Sequence, residues 1–369
     1  MAFDRLLNVA RKEFSDHITS RRFIIILALF LVISAVSIHD GIENYNNSLE
    51  SYNEQLQRME EFQDPYTSWM PQKPTIMYVF ISMMSYMAAL GGILALAIGF
   101  DLVSKEKESR SLKTLLSHPI YRDEIINGKV LGGVGALGFA MGLALALAVA
   151  MLLIFSIVPT LDEFAAILIF GAASLGFLLA YFAIALTMST VAKESGNALI
   201  YTLVIFAIVT SLLPMFGMMA ANAFAGDPPE PPEMGPMATE VVHTASGGGY
   251  TVTSSRSVAV SGSGSPEIDP AWREYEEEMR AYVEKRQLIN DVSNILSPQM
   301  NYYQVAMAVT NPQISMMMSS YMYGGATQED PGGLADALGR VWMNIAALIV
   351  FPAVFFAATY VKFMRMDIR

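Results

Sequence analysis

Long apolar runs alternate with charged stretches along the whole chain. Six runs approach or exceed the roughly 20 residues that a helix needs to cross the hydrocarbon core of a bilayer. They comprise residues 23–38, 75–100, 130–158, 164–191, 197–221 and 341–361. The first run is short and follows Arg21-Arg22, so a signal peptide is an alternative, although a charged start of 22 residues is long for one. The pattern predicts an all-α polytopic membrane protein with six transmembrane helices.

Lysine and arginine are concentrated in one set of the segments between these runs. Fifteen of the 23 basic residues fall in 64 positions of one set, and eight fall in 160 positions of the other. The basic set consists of residues 1–22, 101–129, 192–196 and 362–369, and the other set of residues 39–74, 159–163 and 222–340. Because basic loops are retained in the cytoplasm, we expect both termini and the 101–129 loop to be cytoplasmic, in a multi-pass protein of the cell membrane.

Composition agrees with a membrane protein and excludes several kinds of chemistry. Hydrophobic residues make up 53% of the 369 positions and charged residues 15%, against about 25% charged in soluble domains. The absence of cysteine excludes disulfides, cysteine nucleophiles and thiolate metal sites. The net charge of −11 argues against nucleic-acid binding. The four histidines are scattered along the chain, so we expect no histidine metal site and no bound cofactor.

No motif in the chain supplies energy for transport. A G-x-x-x-x-G-K-[ST] sequence is absent, so the chain does not hold a nucleotide in a P-loop. Ion-coupled transporters usually carry ionisable residues at mid-membrane depth, whereas Asp101, Asp162, Glu163 and Lys193 all lie at the ends of the apolar runs. We therefore expect a chain that is not an enzyme and that takes energy for any transport from a partner.

Glycines recur at close spacing near the start of the third apolar run. Residues 133–138 match G-x-G-x-x-G, but no strand precedes them and a long apolar helix follows, which argues against dinucleotide binding. The spacing of Gly138 and Gly142 is G-x-x-x-G, which is typical of close helix packing in membranes. We predict that Gly135, Gly138 and Gly142 serve helix packing.

The stretch before the first run is too polar to cross a membrane. Its apolar residues recur at i, i+3, i+4 and i+7 spacing while charged residues occupy other faces. This pattern predicts an amphipathic helix in the cytoplasmic headgroup layer, and a solvated leader is the alternative. The apolar face consists of Phe3, Leu6, Leu7, Ala10, Phe14 and Ile18.

The external segments are acidic, and their composition changes along their length. Residues 39–74 have a helical pattern over 49–62, and residues 222–340 carry fifteen acidic and six basic residues. Within the latter, the Gly- and Ser-rich stretch 240–266 predicts a flexible linker or a hairpin, and residues 269–296 predict a helix. Residues 297–312 predict a short helix at the outer membrane surface. The methionine-rich stretch 315–323 suits membrane-surface packing, with a soft metal site as the alternative.

The loop at 101–129 is the most densely charged cytoplasmic segment. It holds eleven charged residues, six basic and five acidic, in 29 positions. Residues 105–116 predict a polar helix that ends at His118-Pro119, since proline disfavours helix in the residue before it. The near balance of charge favours a protein partner over a purely lipid one, and an ordinary solvated loop is the alternative.

Three segments resemble the ABC-2 type permeases, the membrane subunits of one class of ATP-binding-cassette (ABC) exporter. The stretch "EKESRSLKTLLSHPIYRDEIINGK" is similar to the family's "E-K-E-x-G-T-L-x-L-L-x-x-P-[IV]-x-R-x-x-I-x-x-G-K" pattern, with Arg110-Ser111 where Gly-Thr is common. The N-terminal helix running into "TSRRF" and the segment "LSPQMNYYQVAMAVTNP" match in order and position. The resemblance covers essentially the whole chain, although the segment 222–340 is larger than in minimal members.

The resemblance implies that the 101–129 loop forms a coupling helix that docks on a separate ABC-type ATPase subunit. It also implies a second permease protomer, most simply an identical one, around a central path for an exported substrate. The residues that the resemblance assigns to the docking loop are Lys105, Glu106, Lys107, Arg110, Leu112, Leu115, Leu116, His118, Pro119 and Arg122.

One other class of function stays open at this point. The acidic external segment would also suit a non-transporting scaffold or mechanotransmitting subunit, whose external domain a partner ATPase moves. The sequence leaves the substrate open, whether lipid, peptide, drug or ion, and its apolar runs favour something lipophilic.

Overall fold

The computed structural model describes residues 2–62, 73–110, 121–232, 270–312 and 333–366, and every regular element in these ranges is helical. An N-terminal helix, Ala2–Thr19, precedes six helices that are long and apolar enough to cross a membrane. These six, called spans 1 to 6, are Arg21–Met59, Ile76–Glu108, Arg122–Ile154, Leu161–Val191, Ser195–Ala225 and Trp342–Met364. The predicted all-α, six-span fold is therefore confirmed. The stretches 240–266 and 315–323 lie outside the described residues.

In the described part of the chain between spans 5 and 6 there are three further helices. They are the external helix, Pro270–Ile295, the inserted helix, Pro298–Thr310, and a short helix, Leu334–Arg340, which leads into span 6. The predicted helix over 269–296 thus has its counterpart in the external helix.

Span 1 is much longer than its apolar run. The helix that contains it, Arg21–Phe62, has 42 residues, about 63 Å at 1.5 Å per residue, which is roughly twice the thickness of the hydrocarbon core. Gly41 does not break this helix. A Cβ built there would lie 2.1 Å from the carbonyl oxygen of Val79, so the glycine lets span 1 approach the start of span 2. The helical pattern over 49–62 is therefore a continuation of span 1.

Two of the spans contain turns that are not α-helical. Span 2 begins with a 3₁₀ turn, Ile76–Tyr78, and contains a π-helical turn, Met87–Gly91. Span 5 has a π-helical turn at Ile208–Leu212, directly before Pro214. Because proline has no N–H to donate, the helix must give up one regular hydrogen bond there, and a π turn accommodates such a break.

Span 4 forms the centre of the bundle. It begins at a capping box in which Thr160 Oγ1 accepts from the backbone N–H of Glu163. Its residues Phe177, Tyr181 and Phe182 are fully buried, and spans 2, 3 and 6 pack around it. The side chains of span 5, by contrast, are mostly exposed in the single chain. Most of the apolar core therefore lies around one helix.

The inserted helix, which the sequence predicts at the outer membrane surface, has one face buried against other helices of the chain. Tyr302 is fully buried, its ring stacks on Phe177 with centroids 4.7 Å apart, and its hydroxyl is 3.1 Å from Ser174 Oγ. Asn344 Nδ2 donates to Asn301 Oδ1 at 2.9 Å. The helix packs against spans 2, 4 and 6 and is not one of the candidate spans, so one face is covered by protein, and its position at the outer membrane surface stays a prediction. The polar side chains that suggested an aqueous face bond to neighbouring spans.

Candidate functional site

The N-terminal helix lies along the N-terminal end of span 3, where glycines permit close contact. A Cβ built at Gly128 would lie 2.4 Å from Val9 Cγ1, and one built at Gly132 would lie 2.6 Å from the Cβ of Glu13. Real Cβ atoms essentially never make such short contacts, so only glycine fits at both positions. The two helices therefore meet nearly backbone to backbone.

The predicted apolar face of the N-terminal helix is only partly buried by other parts of the chain. Leu6, Ala10, Phe14 and Ile18 are half-buried, and Phe14 packs edge-on against Phe139 with ring centroids 6.3 Å apart. Leu7 is 53% exposed. The side chain of Phe3 lies outside the described residues. Part of the face thus packs on protein, and the placement of the remainder in the headgroup layer stays a prediction.

Only one of the three glycines predicted for packing has a close neighbour in the chain. A Cβ built at Gly135 would lie 3.1 Å from Phe14, whereas no described atom lies within 4 Å of a Cβ at Gly138 or Gly142. Sequence reasoning missed Gly128 and Gly132 as packing glycines. Their i, i+4 spacing on span 3 was the available signal.

The end of span 2 and the loop after it, residues 101–110, form what we call the coupling segment. Its helix, Ser104–Glu108, is shorter than the predicted helix over 105–116. Arg110 has a φ of 57°, a left-handed conformation in which a residue with a Cβ cannot continue an α-helix. The helix prediction is therefore wrong at residues 109–110. The predicted docking residues Leu112, Leu115, Leu116, His118 and Pro119 lie outside the described residues.

Charged side chains of the coupling segment bond to the adjacent ends of four spans. Asp101 pairs with Arg22 of span 1, and Glu106 pairs with Lys129 of span 3. The other two contacts reach span 4 and span 5. Lys107 Nζ donates to the carbonyl oxygens of Thr190 and Ala192, and Glu108 accepts from the N–H and Oγ of Ser195 at 3.3 and 3.0 Å.

Backbone groups strengthen the contact with span 4. The N–H groups of Val103 and Ser104 both donate to Ser189 Oγ, at 2.9 and 3.0 Å. Lys107 meets two carbonyl oxygens at the C-terminal end of span 4, where a positive charge is favoured by the helix dipole. The coupling segment is thus bonded to span 4 through backbone N–H groups and through the side chain of Lys107.

Lys129 is the most deeply buried charge of this region. Its side chain is 2% exposed, and its Nζ lies 3.0 Å from Glu13 Oε1 and 2.7 Å from Glu106 Oε1. One ammonium group therefore joins the N-terminal helix, the coupling segment and span 3. Sequence reasoning did not assign a role to Lys129 or Glu13. The signal was a lysine directly beside Gly128 at the start of an apolar run.

A second set of contacts surrounds the start of span 3. Arg5 Nε donates to Glu124 Oε1 at 3.1 Å, and its guanidinium lies 5.3 Å from the ring centroid of Tyr121. Arg122 Nη1 donates to the carbonyl oxygen of Met366 at 2.9 Å, beyond the end of span 6. Arg122, which was predicted for docking, is thus bonded within the chain. Of the predicted residues that the structure describes, Lys105 and Arg110 are exposed.

His17 lies with Glu13, Glu106 and Lys129 in the wall of a cavity beside the N-terminal helix. Burial lowers the pKa of His17 below its ordinary value of 6.5, against the opposing effect of Glu13. Its Nε2 atom is buried and has no hydrogen-bond partner in the described part of the chain. The imidazole is therefore expected to be neutral at pH 7.

These features define a multi-span membrane protein in which the segment after span 2 is bonded to the ends of four spans. A family model described as ABC-2 family transporter protein matches residues 7–368. The chain belongs to this family, and the suspected resemblance to the ABC-2 permeases is confirmed. Among curated proteins, none matches the chain at a significant level.

Proposed function

We propose that the chain is the permease subunit of an ABC exporter, with two copies forming a path and a separate ATPase docking on the cytoplasmic loop. The observation that carries this proposal is the bonding of residues 101–110 to spans 1, 3, 4 and 5. Membrane components of this family work with an ATPase that they do not contain, so a cytoplasmic element must receive its motion. The coupling segment is bonded to four of the six spans and can pass such a motion to them.

In this proposal the two sides of the coupling segment have different tasks. Arg110 is exposed and makes no described side-chain bond to a span, so it is available to the ATPase. The other predicted docking residues, between 112 and 119, lie outside the described residues. Glu106, Lys107 and Glu108 bond inward. Docking and transmission are therefore carried by different side chains of one short segment.

The contacts between the coupling segment and the spans would pass the motion of the ATPase efficiently to the spans. Several of them are charge-assisted, and such hydrogen bonds are shorter and stronger than neutral ones. A movement of the coupling segment therefore displaces four spans together, and does not merely bend a loop. ATP binding, by bringing two ATPase subunits together, would move two coupling segments and switch the path between its inward-facing and outward-facing states.

Variants that affect either docking of the ATPase or transmission to the spans test this proposal. The chain is purified with the ATP-binding-cassette protein encoded beside it, and co-purification and ATP hydrolysis are measured. We expect Arg110→Glu and the double change Leu115→Ala with Leu116→Ala to reduce co-purification. Glu106→Gln should leave co-purification intact and change the ATP hydrolysis of the complex. Glu50→Gln, on the exposed part of the long span 1 helix, is the control. Undiminished co-purification of the docking variants would overturn the docking assignment.

The exposure of span 5 supports the pairing of two protomers. Large apolar side chains such as Tyr201, Val204, Ile208 and Phe216 are exposed in the single chain. A second copy would cover a part of this face and lipid the rest. Because the chain has no cysteine, Tyr201→Cys and Val204→Cys introduce single thiols, and disulfide cross-linking in membranes tests the pairing. Absence of cross-links at both positions would argue against an interface at span 5.

The external helix favours one alternative, in which a partner ATPase does mechanical work outside the membrane. Ser293 Oγ donates to the carbonyl oxygen of Leu213 at 2.6 Å, and a Cβ at Gly217 would lie 2.3 Å from Ser293. The external helix is thus fastened to span 5 and would move with it. Spin labels on the external helix distinguish the two functions. An ATP-dependent displacement without any transported substrate would favour the mechanical role.

A further inference from the structure

A cavity of about 300 Å³ opens on the cytoplasmic side between the N-terminal helix, spans 1 and 2, and span 3. Its wall is unusual for its mixture of charge and apolar surface. The charged and polar residues of the wall are Glu13, Asp16, His17, Ser20, Arg22, Asp101, Lys105, Glu106, Ser109 and Lys129. The cavity is too large for a single ordered water, so it has room for a ligand.

Most charges in the wall already have partners within the chain. Arg22 pairs with Asp101, and Lys129 pairs with both Glu13 and Glu106. Among the described residues, no ion pair is made by the two remaining charges, Asp16 and Lys105. The cavity therefore offers one unpaired carboxylate and one unpaired ammonium group. A ligand that carries both signs of charge would satisfy them together.

A third polar group in the wall lacks a partner. His17 Nε2 is buried and makes no hydrogen bond to any described residue. A buried polar atom without a partner costs free energy, so it commonly has water or a ligand beside it. A neutral imidazole nitrogen can donate to or accept from a phosphate ester or an alcohol.

The membrane side of the cavity is apolar. Phe23 and Ile26 of span 1 and Ala97 and Ile98 of span 2 line it. A narrow apolar crevice that shares Phe23, Ile26 and Ile98 continues between the spans, toward Phe30 and Leu94. A second crevice, which shares Phe30 and Leu94, follows the same seam further along span 1. The charged cavity therefore leads into a narrow, mostly apolar seam between spans 1 and 2, which follows span 1 from Phe23 to Ser37.

We propose that this cavity binds the headgroup of a zwitterionic phospholipid with a primary amine, while an acyl chain follows the seam between spans 1 and 2. Lys105 binds the phosphate and Asp16 binds the ammonium group of the headgroup. Phosphate and carboxylate pairs with ammonium groups are charge-assisted hydrogen bonds, and these are the stronger kind. The site lies beside the amphipathic N-terminal helix, which places it at headgroup depth.

The proposal goes beyond transport driven by an ATPase and does not depend on it. A lipid bound here would contact the N-terminal helix through Asp16 and the coupling segment through Lys105. A soluble zwitterion would satisfy the same two charges but would leave the apolar seam unused. The surrounding membrane is therefore the source that fits both parts of the site.

The test uses the purified chain in detergent, without an ATPase, and native mass spectrometry to count bound lipid. Phosphatidylethanolamine should bind more tightly than phosphatidylcholine, whose methylated amine donates no hydrogen bond to Asp16, and more tightly than phosphatidylglycerol, which has no amine. Asp16→Asn and Lys105→Gln should each weaken phosphatidylethanolamine binding about tenfold, as expected for one lost charged contact. Lys12→Gln, on the same N-terminal helix but outside the cavity wall, is the matched control.

Three results would overturn the proposal. The first is equal binding of the three lipids to the wild-type chain. The second is unchanged binding in both cavity variants while their thermal unfolding matches that of the wild type. The third is complete competition by soluble glycerophosphoethanolamine at the concentration at which the lipid binds, which would assign the site to a soluble zwitterion. Ala97→Trp, which fills the apolar side, should weaken lipid binding without removing any charge.

Discussion

At the scale of single residues, the end of the bundle beside the N-terminal helix depends on charges that are removed from water. Lys129 is buried between two carboxylates, and the desolvation of such a group is offset only while its partners remain in place. The net contribution of the cluster to stability is therefore modest. Loss of the charge of Lys129 would destabilise the protein, because Glu13 and Glu106 would face each other without a positive charge between them.

Replacing Lys129 by methionine tests this argument. Lys129→Met retains the length of the side chain and removes the charge between Glu13 and Glu106. We expect the free energy of unfolding to fall by about 3 kcal/mol, the usual cost of breaking a buried ion pair. Thermal unfolding in detergent measures the change. Arg58→Met, which removes the exposed pair with Glu54, is the control and should have no measurable effect.

A neutral, half-buried His17 makes the stability of the protein depend on pH. The pKa of His17 is lowered below 6.5 by burial. Between the lowered pKa and 6.5 the unfolded chain binds more protons than the folded chain, so stability falls as the pH falls through that interval and is unaffected above it. The charged groups that share the cavity with His17 are Glu13, Asp16, Arg22, Asp101, Lys105, Glu106 and Lys129.

The corresponding measurement compares thermal unfolding at pH 7.5 and pH 5.5. Wild type should lose more stability than His17→Gln over this range, because only wild type gains a proton at this position on unfolding. Carboxylates contribute similarly to both proteins and cancel in the difference. Equal losses in the two proteins would contradict the prediction.

At the scale of elements, the docking of the N-terminal helix depends on glycines of span 3. A methyl group at Gly132 would meet Glu13 and the backbone N of Phe14, at 2.6 and 3.1 Å. Because backbone atoms cannot rotate away, the N-terminal helix must shift as a whole. The contacts of Glu13 with Lys129 would shift with it.

The two kinds of glycine on span 3 provide a matched comparison. Gly132→Ala should destabilise the protein by about 1–3 kcal/mol through overpacking. Gly142→Ala should be neutral or stabilising by up to about 1 kcal/mol, because alanine is the better helix former and nothing described lies within 4 Å of the new Cβ. Thermal unfolding distinguishes the two variants. An equal loss of stability in both variants would show that the close contact at Gly132 does not determine the effect.

The inserted helix offers a second comparison between neighbours in the chain. Tyr302 is fully buried against Phe177 and Ser174, whereas Tyr303 is 38% exposed. Tyr302→Ala should lower the free energy of unfolding by about 3–5 kcal/mol, as for other large-to-small changes in a core. Tyr303→Ala should cost much less. Similar effects of the two changes would contradict the burial of Tyr302 against Phe177 and Ser174.

At the scale of the whole molecule, the distribution of basic residues predicts which side of the membrane each segment faces. The chain has no cysteine, so single cysteines report on one position each. In the predicted topology, Arg110→Cys should react with a membrane-impermeant maleimide only after the cells are permeabilised. Glu50→Cys should react in intact cells. The reverse pattern would invert the topology.

Periodicity and apolar length were sufficient to predict the elements. The six spans and the amphipathic N-terminal helix follow from local properties that a short window of sequence contains. Errors arose where an element's surroundings mattered. The helix of the coupling segment ends at Glu108 because Arg110 turns the chain, and no residue in the pattern forces that turn.

The candidate site was predicted only in part for a related reason. The dense charge of residues 101–110 was apparent from the sequence, and it suggested a surface for a partner. The structure assigns most of these charges to contacts within the chain, with residues such as Arg22, Lys129 and Ser195 that lie 23 to 87 positions away. Nothing in a single sequence links residues at such separations.

The sequence by itself determined the solvent in which this protein folds, the number of its spans and the family to which it belongs. These properties follow from how much apolar surface each segment carries and from short motifs in order. Only the tertiary structure decided which charges are neutralised within the chain and which stay available. It also decided that one face of the inserted helix is buried against other helices of the chain. Both outcomes depend on distances between segments far apart in sequence, where burial makes an unpaired polar group costly and so selects its partner.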